Sequence, residues 1–123
     1  KDDARPILRK MRGADVIVFA TPLYFYGPSA QLKALIDRMF SLYKWDNTTD
    51  TFESPLRGKA MALLLSAYED VGLKNVEEMF RIIADYSEMK FFSLLVPDAR
   101  ESGDILKLKG VREKAAALGK RTA

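Results

Sequence analysis

Three stretches of near-continuous apolar residues punctuate the chain, and amphipathic stretches separate them. DVIVFA (15–20), AMALLLSAY (60–68) and KFFSLLVPD (90–98) are short, and the first is rich in β-branched residues. The first predicts a strand buried on both faces, as parallel sheets contain, the second another buried strand and the third a further strand. Between them apolar residues recur at helical spacing. DDARPILRKMRGA (2–14) places Ile7, Leu8 and Met11 on one face and ends at Gly13. Ser29 is a good N-cap for AQLKALIDRMFSLY (30–43), whose stripe is Leu32, Leu35, Ile36, Met39 and Phe40. KNVEEMFRIIADYSEM (74–89) repeats the stripe through Val76, Met79, Phe80 and Ile83, and VREKAAALGKRTA (111–123) predicts a last helix after the turn-rich ARESGDILKLKG.

Helices and buried strands thus alternate, which predicts one α/β domain over residues 1–123, a three-layer parallel sheet with helices on both faces. Ligands of such sheets sit beyond the carboxyl ends of the strands. Three loops fall there: Thr21–Ser29, Ser66–Asp70 and Pro97–Gly103. KWDNTTDTFESPLRGK (44–59) is expected to be a long loop, a kind often functional or interface-forming. Its aromatics Trp45 and Phe52, with Tyr43 before it, suggest ligand cover or, preferred here, a subunit contact.

Composition narrows the chemistry sharply. With 123 residues and 48% hydrophobic content the chain can bury a full core. A net charge of +3 is too small and dispersed to argue for nucleic acid, and no apolar run approaches a membrane span. The sequence holds no Cys and no His, which excludes disulfides, thiolate-bound clusters and Ser-His or Cys-His catalysis. Any chemistry is therefore expected to come from a cofactor. Lys33 and Asp37 stand at i and i+4, read as a surface pair, and Glu69, Asp70 and Asp98 as a solvated acidic rim. Asn47-Thr48-Thr49 is a formal glycosylation sequon read as chance.

The sharpest feature is the turn TPLYFYGPS (21–29), which puts three aromatic residues where polar atoms usually stay wet. Pro22 and Pro28 stiffen it and Gly27 permits close backbone approach. Two readings stand level on the residues alone. Either the aromatics cover a flat ligand, or they fold back on the core or a subunit contact.

The stretch TPLYFYGPSAQLKALIDR (21–38) resembles the NAD(P)H-dependent FMN reductase group of flavodoxin-like proteins, in the branch that includes the iron–sulfur flavoproteins. The resemblance rests on Pro22, Leu23, Tyr24, Phe25, Lys33, Asp37 and Arg38. It implies that Thr21, Pro22, Leu23, Tyr24, Phe25, Tyr26 and Gly27 cradle the isoalloxazine ring of FMN, with Ser66, Ala67 and Tyr68 beside it. It implies electron flow from NAD(P)H through FMN to a quinone, a flavin or a protein acceptor, with no side chain needed as acid or base. The spacing of the acidic residues shows no metal-ligand set. A flavodoxin-like electron carrier or a non-catalytic interaction module is the alternative, and a receiver module a weaker third.

By the same resemblance the chain is the C-terminal portion of a flavodoxin-like sheet without its first two strands, the phosphate-binding loop and the iron–sulfur branch's cysteines. Weak FMN retention is then expected, as is an unpaired edge on the first strand that pairs with another copy or fragment. A cytoplasmic homodimer or higher oligomer, touching neither nucleic acid nor membrane, completes the expectation.

Overall fold

The computed structural model describes residues 3–122. The expected first helix began at Asp2 and the last ended at Ala123, both outside the described residues. Three strands, β1 (Val16–Pro22), β4 (Ala60–Ser66) and β5 (Lys90–Val96), form a parallel sheet in the order β1-β4-β5. Phe19 pairs with Leu63 and Leu64 with Leu94, and β1 pairs only with β4 among the described residues. Helices α1 (Ala4–Gly13), α2 (Ala30–Met39), α3 (Leu73–Tyr86), α4 (Asp104–Lys107) and α5 (Val111–Thr122) complete the alternation. A 3-10 turn, Phe40–Leu42, extends α2.

Helices lie on both sides of the sheet. Side chains alternate along a strand, so Ile17, Phe19, Met61, Leu63 and Leu65 share one face. There they form one core with Leu8 and Met11 of α1, Ile36 and Met39 of α2, and Val76, Phe80 and Ala84 of α3. Phe80 is completely buried, its ring centroid 5.3 Å from that of Phe19. On the opposite face α5 packs against β4 and β5, with Leu118 buried and the Arg121 guanidinium 5.1 Å from the Phe92 ring centroid.

Four sequence expectations change. The first strand is not buried on both faces: Ile17, Phe19 and Thr21 are covered, but Ala20 is exposed and Val18 is 55% exposed. The reason is that α5 crosses β4 and β5 and leaves that side of β1 open. Ile7 and Phe40 are exposed as well, so the α1 stripe narrows to Leu8 and Met11 and the α2 stripe stops at Met39. The turn-rich stretch before the last helix contains the single-turn α4, stabilised as Asp104 Oδ2 accepts from the Glu101 amide at 2.8 Å.

The fourth change concerns the long loop, which contains an antiparallel hairpin of β2 (Lys44–Asp46) and β3 (Thr51–Glu53), pairing Trp45 with Phe52. Its tip is organised locally, as Asp46 Oδ1 accepts from the Thr48 amide and hydroxyl, which holds the Asp46 carboxyl below its ordinary pKa. Side chain–backbone bonds of this kind form turns without any periodic sequence signal. Phe52 and Tyr43 stack at 5.6 Å and both meet the Tyr86 ring edge-on at the end of α3. The Tyr43 hydroxyl bonds the buried Ser87 hydroxyl. Burial of Tyr43 raises its pKa despite that bond. The aromatics of this segment therefore fasten the hairpin to α3, with Trp45 left exposed.

One buried carboxylate links α3 to the sheet. Glu77 accepts from Ser93 Oγ on β5 and from Lys74 Nζ at 2.7 Å. Burial pushes its pKa up, but the Lys74 and Ser93 bonds and the charges of Lys74 and Arg81 outweigh it, and the net shift is downward. A depressed pKa stabilises the fold above the unfolded carboxylate value of about 4.3, and that stability is lost as pH falls through the folded value. The urea midpoint is therefore expected to fall below about pH 4.3, and less steeply in Glu77→Gln.

Candidate functional site

The carboxyl ends of β1 and β4 carry the site residues, and backbone bonding fixes both loops there. The Leu23 amide donates to the Ser66 carbonyl at 2.7 Å, which extends the β1–β4 ladder into the turn. Thr21 is buried and ties the two ends of the turn together. Its Oγ1 accepts from the Ser29 amide at 3.0 Å and donates to the Pro22 carbonyl at 2.9 Å. Ser29 in turn caps α2, as Oγ accepts from the Leu32 amide at 3.3 Å. Thr21→Val keeps the shape of the side chain but leaves the Ser29 amide without its acceptor. A loss of about 1–3 kcal/mol in unfolding free energy is expected, measured by urea denaturation.

The tip of the turn is closed by reciprocal hydrogen bonds between Tyr24 and Gly27, each N–H donating to the other's carbonyl at 2.9 Å. Such a tip closes here in type I′ fashion, with positive φ at both central residues, a geometry that normally selects Asn-Gly. Here the central residues are Phe25 at φ 44° and Tyr26 at φ 65°. Left-handed backbone at residues with a Cβ costs roughly 1–2 kcal/mol each and concentrates at functional sites. Phe25 is 98% exposed, and Tyr24 is exposed beside it. The amides of Phe25 and Tyr26 have no protein acceptor among the described residues. Tyr26 differs from its neighbours, because its ring lies against the backbone of Gly72 at the start of α3.

The second loop divides by residue. Ser66 and Pro22, with Thr21, line a depression of about 430 Å³ floored by Leu64 and Leu94 and walled by Ile105 and Val111. Ala67 is buried, with its amide bonded to the Val96 carbonyl and its carbonyl accepting from Ala99, so its backbone positions the loop and has no free polar group. Tyr68 is exposed beneath the Arg100 guanidinium, 5.0 Å from its ring centroid, and Arg100 also reaches Asp98 at 3.5 Å. All ten sequence-identified residues thus gather at the ends of β1 and β4. Gly72 and Arg100 join them without having been singled out. The one signal that could have found Gly72 is a glycine just before an amphipathic run, and nothing local marks Arg100.

A flat heteroaromatic ligand takes aromatic cover on its face and hydrogen-bond donors at its edge. The exposed Phe25 and Tyr24 rings and the unbonded amides of Phe25 and Tyr26 suit an isoalloxazine on both counts. Away from the site, Lys33 and Asp37 form the expected exposed pair at 2.6 Å. No described helix is long and apolar enough to cross a membrane.

Comparison with known proteins bears on the family and the fold. A putative NAD(P)H-dependent FMN-containing oxidoreductase of Bacillus subtilis is 25% identical over 99% of this chain, which spans 68% of that protein. An iron–sulfur flavoprotein of Methanocaldococcus jannaschii is 57% identical over 37 residues, 30% of this chain and 19% of its own length. The solved Trp repressor binding protein of Bacillus subtilis superposes with a TM-score of 0.77 at 24% identity, over 95% of this chain and 72% of that one. The α/β fold is flavodoxin-like. The sequence profile of the NADPH-dependent FMN reductases matches residues 1–97, from α1 to the end of β5 and across both site loops, and the chain belongs to that family.

Proposed function

We propose that this chain supplies the ring-facing wall of an FMN site in an NAD(P)H-dependent oxidoreductase. The observation that carries the reading is the strained turn tip, which holds Phe25 almost fully exposed at the carboxyl edge of a parallel sheet. A chain accepts such strain where an exposed aromatic face is used. Tyr24 and Phe25 cover the ring, the Phe25 and Tyr26 amides donate to its edge, and Thr21, Ser66 and Ala67 hold the two loops in place. FMN, when bound, supplies hydride acceptance from a nicotinamide and electron delivery to a second substrate. The chain's own residues bind, orient and shield, and no side chain acts as acid or base. The acceptor class is a quinone, a free flavin or a protein, and the protein works in the cytoplasm.

The active form is a homodimer. Between α2 and α3 runs an apolar groove of about 590 Å³ lined by Ile36, Phe40, Met79, Ile82 and Tyr86. Phe40 is 70% exposed, a large apolar side chain with little cover. Lys33 and Asp37 put both charge signs on its rim. Self-complementary charge around an apolar centre suits an isologous contact with a second copy. Light scattering is expected to give twice the chain mass, and Phe40→Glu to give a monomer.

Anaerobic titration with FMN tests the function. Quenched flavin fluorescence and bleaching of the flavin band on addition of NADH or NADPH are expected. Flavin that binds but stays oxidised until a separate reductase is added would instead mark an electron carrier.

A further inference from the structure

Tyr26 is 58% exposed, but one edge of its ring lies against Gly72, a contact that exists because residue 72 has no side chain. Gly72 adopts φ +87° as the N-cap of α3. A Cβ built there would lie 2.6 Å from Tyr26 Cδ1, and 3.4 Å from both Tyr26 Cε1 and Leu23 Cδ2. The first distance is far inside van der Waals contact, so the Tyr26 ring occupies the space a side chain would take. The contact also joins the two site loops from the side, beyond the Leu23–Ser66 hydrogen bond at their base.

We infer that Gly72 is a positioning residue for the aromatic turn, and that Tyr26 is its latch, not a flavin-contacting ring. Docking Tyr26 on α3 fixes the left-handed tip, and Phe25, next in the chain, is thereby turned to solvent. The Phe25 and Tyr26 rings are 5.8 Å apart and tilted, and Phe25 stays almost fully exposed. The three aromatics then divide their work: Tyr26 holds, while Phe25 and Tyr24 present. The consequence for flavin binding rests on the function proposed above, but the latch itself does not.

Gly72→Ala strains the backbone at φ +87° whatever lies nearby, so the contact is isolated by a double-mutant cycle with Tyr26→Gly. Glycine takes φ +65° without strain, which lets the turn persist without the ring. The first readout is amide hydrogen exchange at Tyr24 and Gly27 in flavin-free protein. Gly72→Ala is expected to speed both by about tenfold in the native background, and by less than about twofold in the Tyr26→Gly background. Equal acceleration in both backgrounds would overturn the inference, since backbone strain alone would then explain it. If Gly72→Ala fails to fold, recovery of folding in the double variant supports the latch and its absence overturns it. FMN titration of the same four proteins separates the two claims. Affinity that follows the exchange pattern supports both, whereas exchange without any change in affinity leaves the latch standing and removes the flavin reading of the turn.

Discussion

Phe80→Ala is expected to lower the unfolding free energy by about 3–5 kcal/mol, the largest stability effect of any single truncation proposed for this protein. The side chain is fully buried at the centre of α3, against Phe19 of the strand that carries the aromatic turn. Truncation removes the transfer free energy of a phenyl ring and leaves a cavity walled by sheet on one side and helix on the other. Neither wall can collapse far, because β1 and β4 are fixed by their ladder and α3 is pinned at its ends by Tyr26 and Tyr43. Phe80→Leu keeps most of the volume and is expected to lose less. Urea denaturation followed by far-UV circular dichroism measures both. A loss below about 1 kcal/mol for Phe80→Ala would show that α3 does not pack on β1 as described.

Phe25→Gly is expected to do the reverse, weakening the site without weakening the fold. At φ 44° a phenylalanine bears left-handed strain that glycine does not, and the ring is 98% exposed, with Tyr26 as its aromatic neighbour. Stability is therefore expected to stay within about 1 kcal/mol of native, because relief of strain offsets the entropy that glycine adds to the unfolded chain. FMN affinity is expected to fall about tenfold, the loss of one aromatic stacking partner with its buried area. Calorimetric or fluorescence titration reads the affinity, and thermal melts read the stability. Opposite or unequal responses of the two quantities are the signature of a residue kept for binding. If Phe25→Gly lowered stability by several kcal/mol and left affinity intact, the ring would belong to the core.

Much of this was legible in the sequence for one physical reason: strand and helix burial write periods into the chain. The runs around Phe19, Leu63 and Leu94 and the stripes around Ile36 and Phe80 gave the element order and the edge of the sheet where the site lies. The hairpin at Lys44–Glu53 was hidden because Asp46 and Thr48 build its tip from side chain–backbone bonds, which have no period. The open face of Val18 was hidden too, because continuous apolarity reads as two-sided burial whether or not a helix crosses that part of the sheet. At the site, prolines and aromatics announced an unusual turn. They could not announce its left-handed tip, since Phe25 and Tyr26 adopt a geometry that their own propensities oppose. Local preference failed there because tertiary contact with Gly72, residues away in sequence, decides the backbone.

The central claim is that Phe25 and its neighbours face a flavin ring, and amide chemical-shift mapping with FMN tests it most directly. Saturable shifts centred on Tyr24, Phe25, Tyr26 and Gly27, with smaller ones at Ser66 and Tyr68, are the expected result. Saturable binding that leaves these amides unmoved and shifts the α2–α3 groove instead would contradict it.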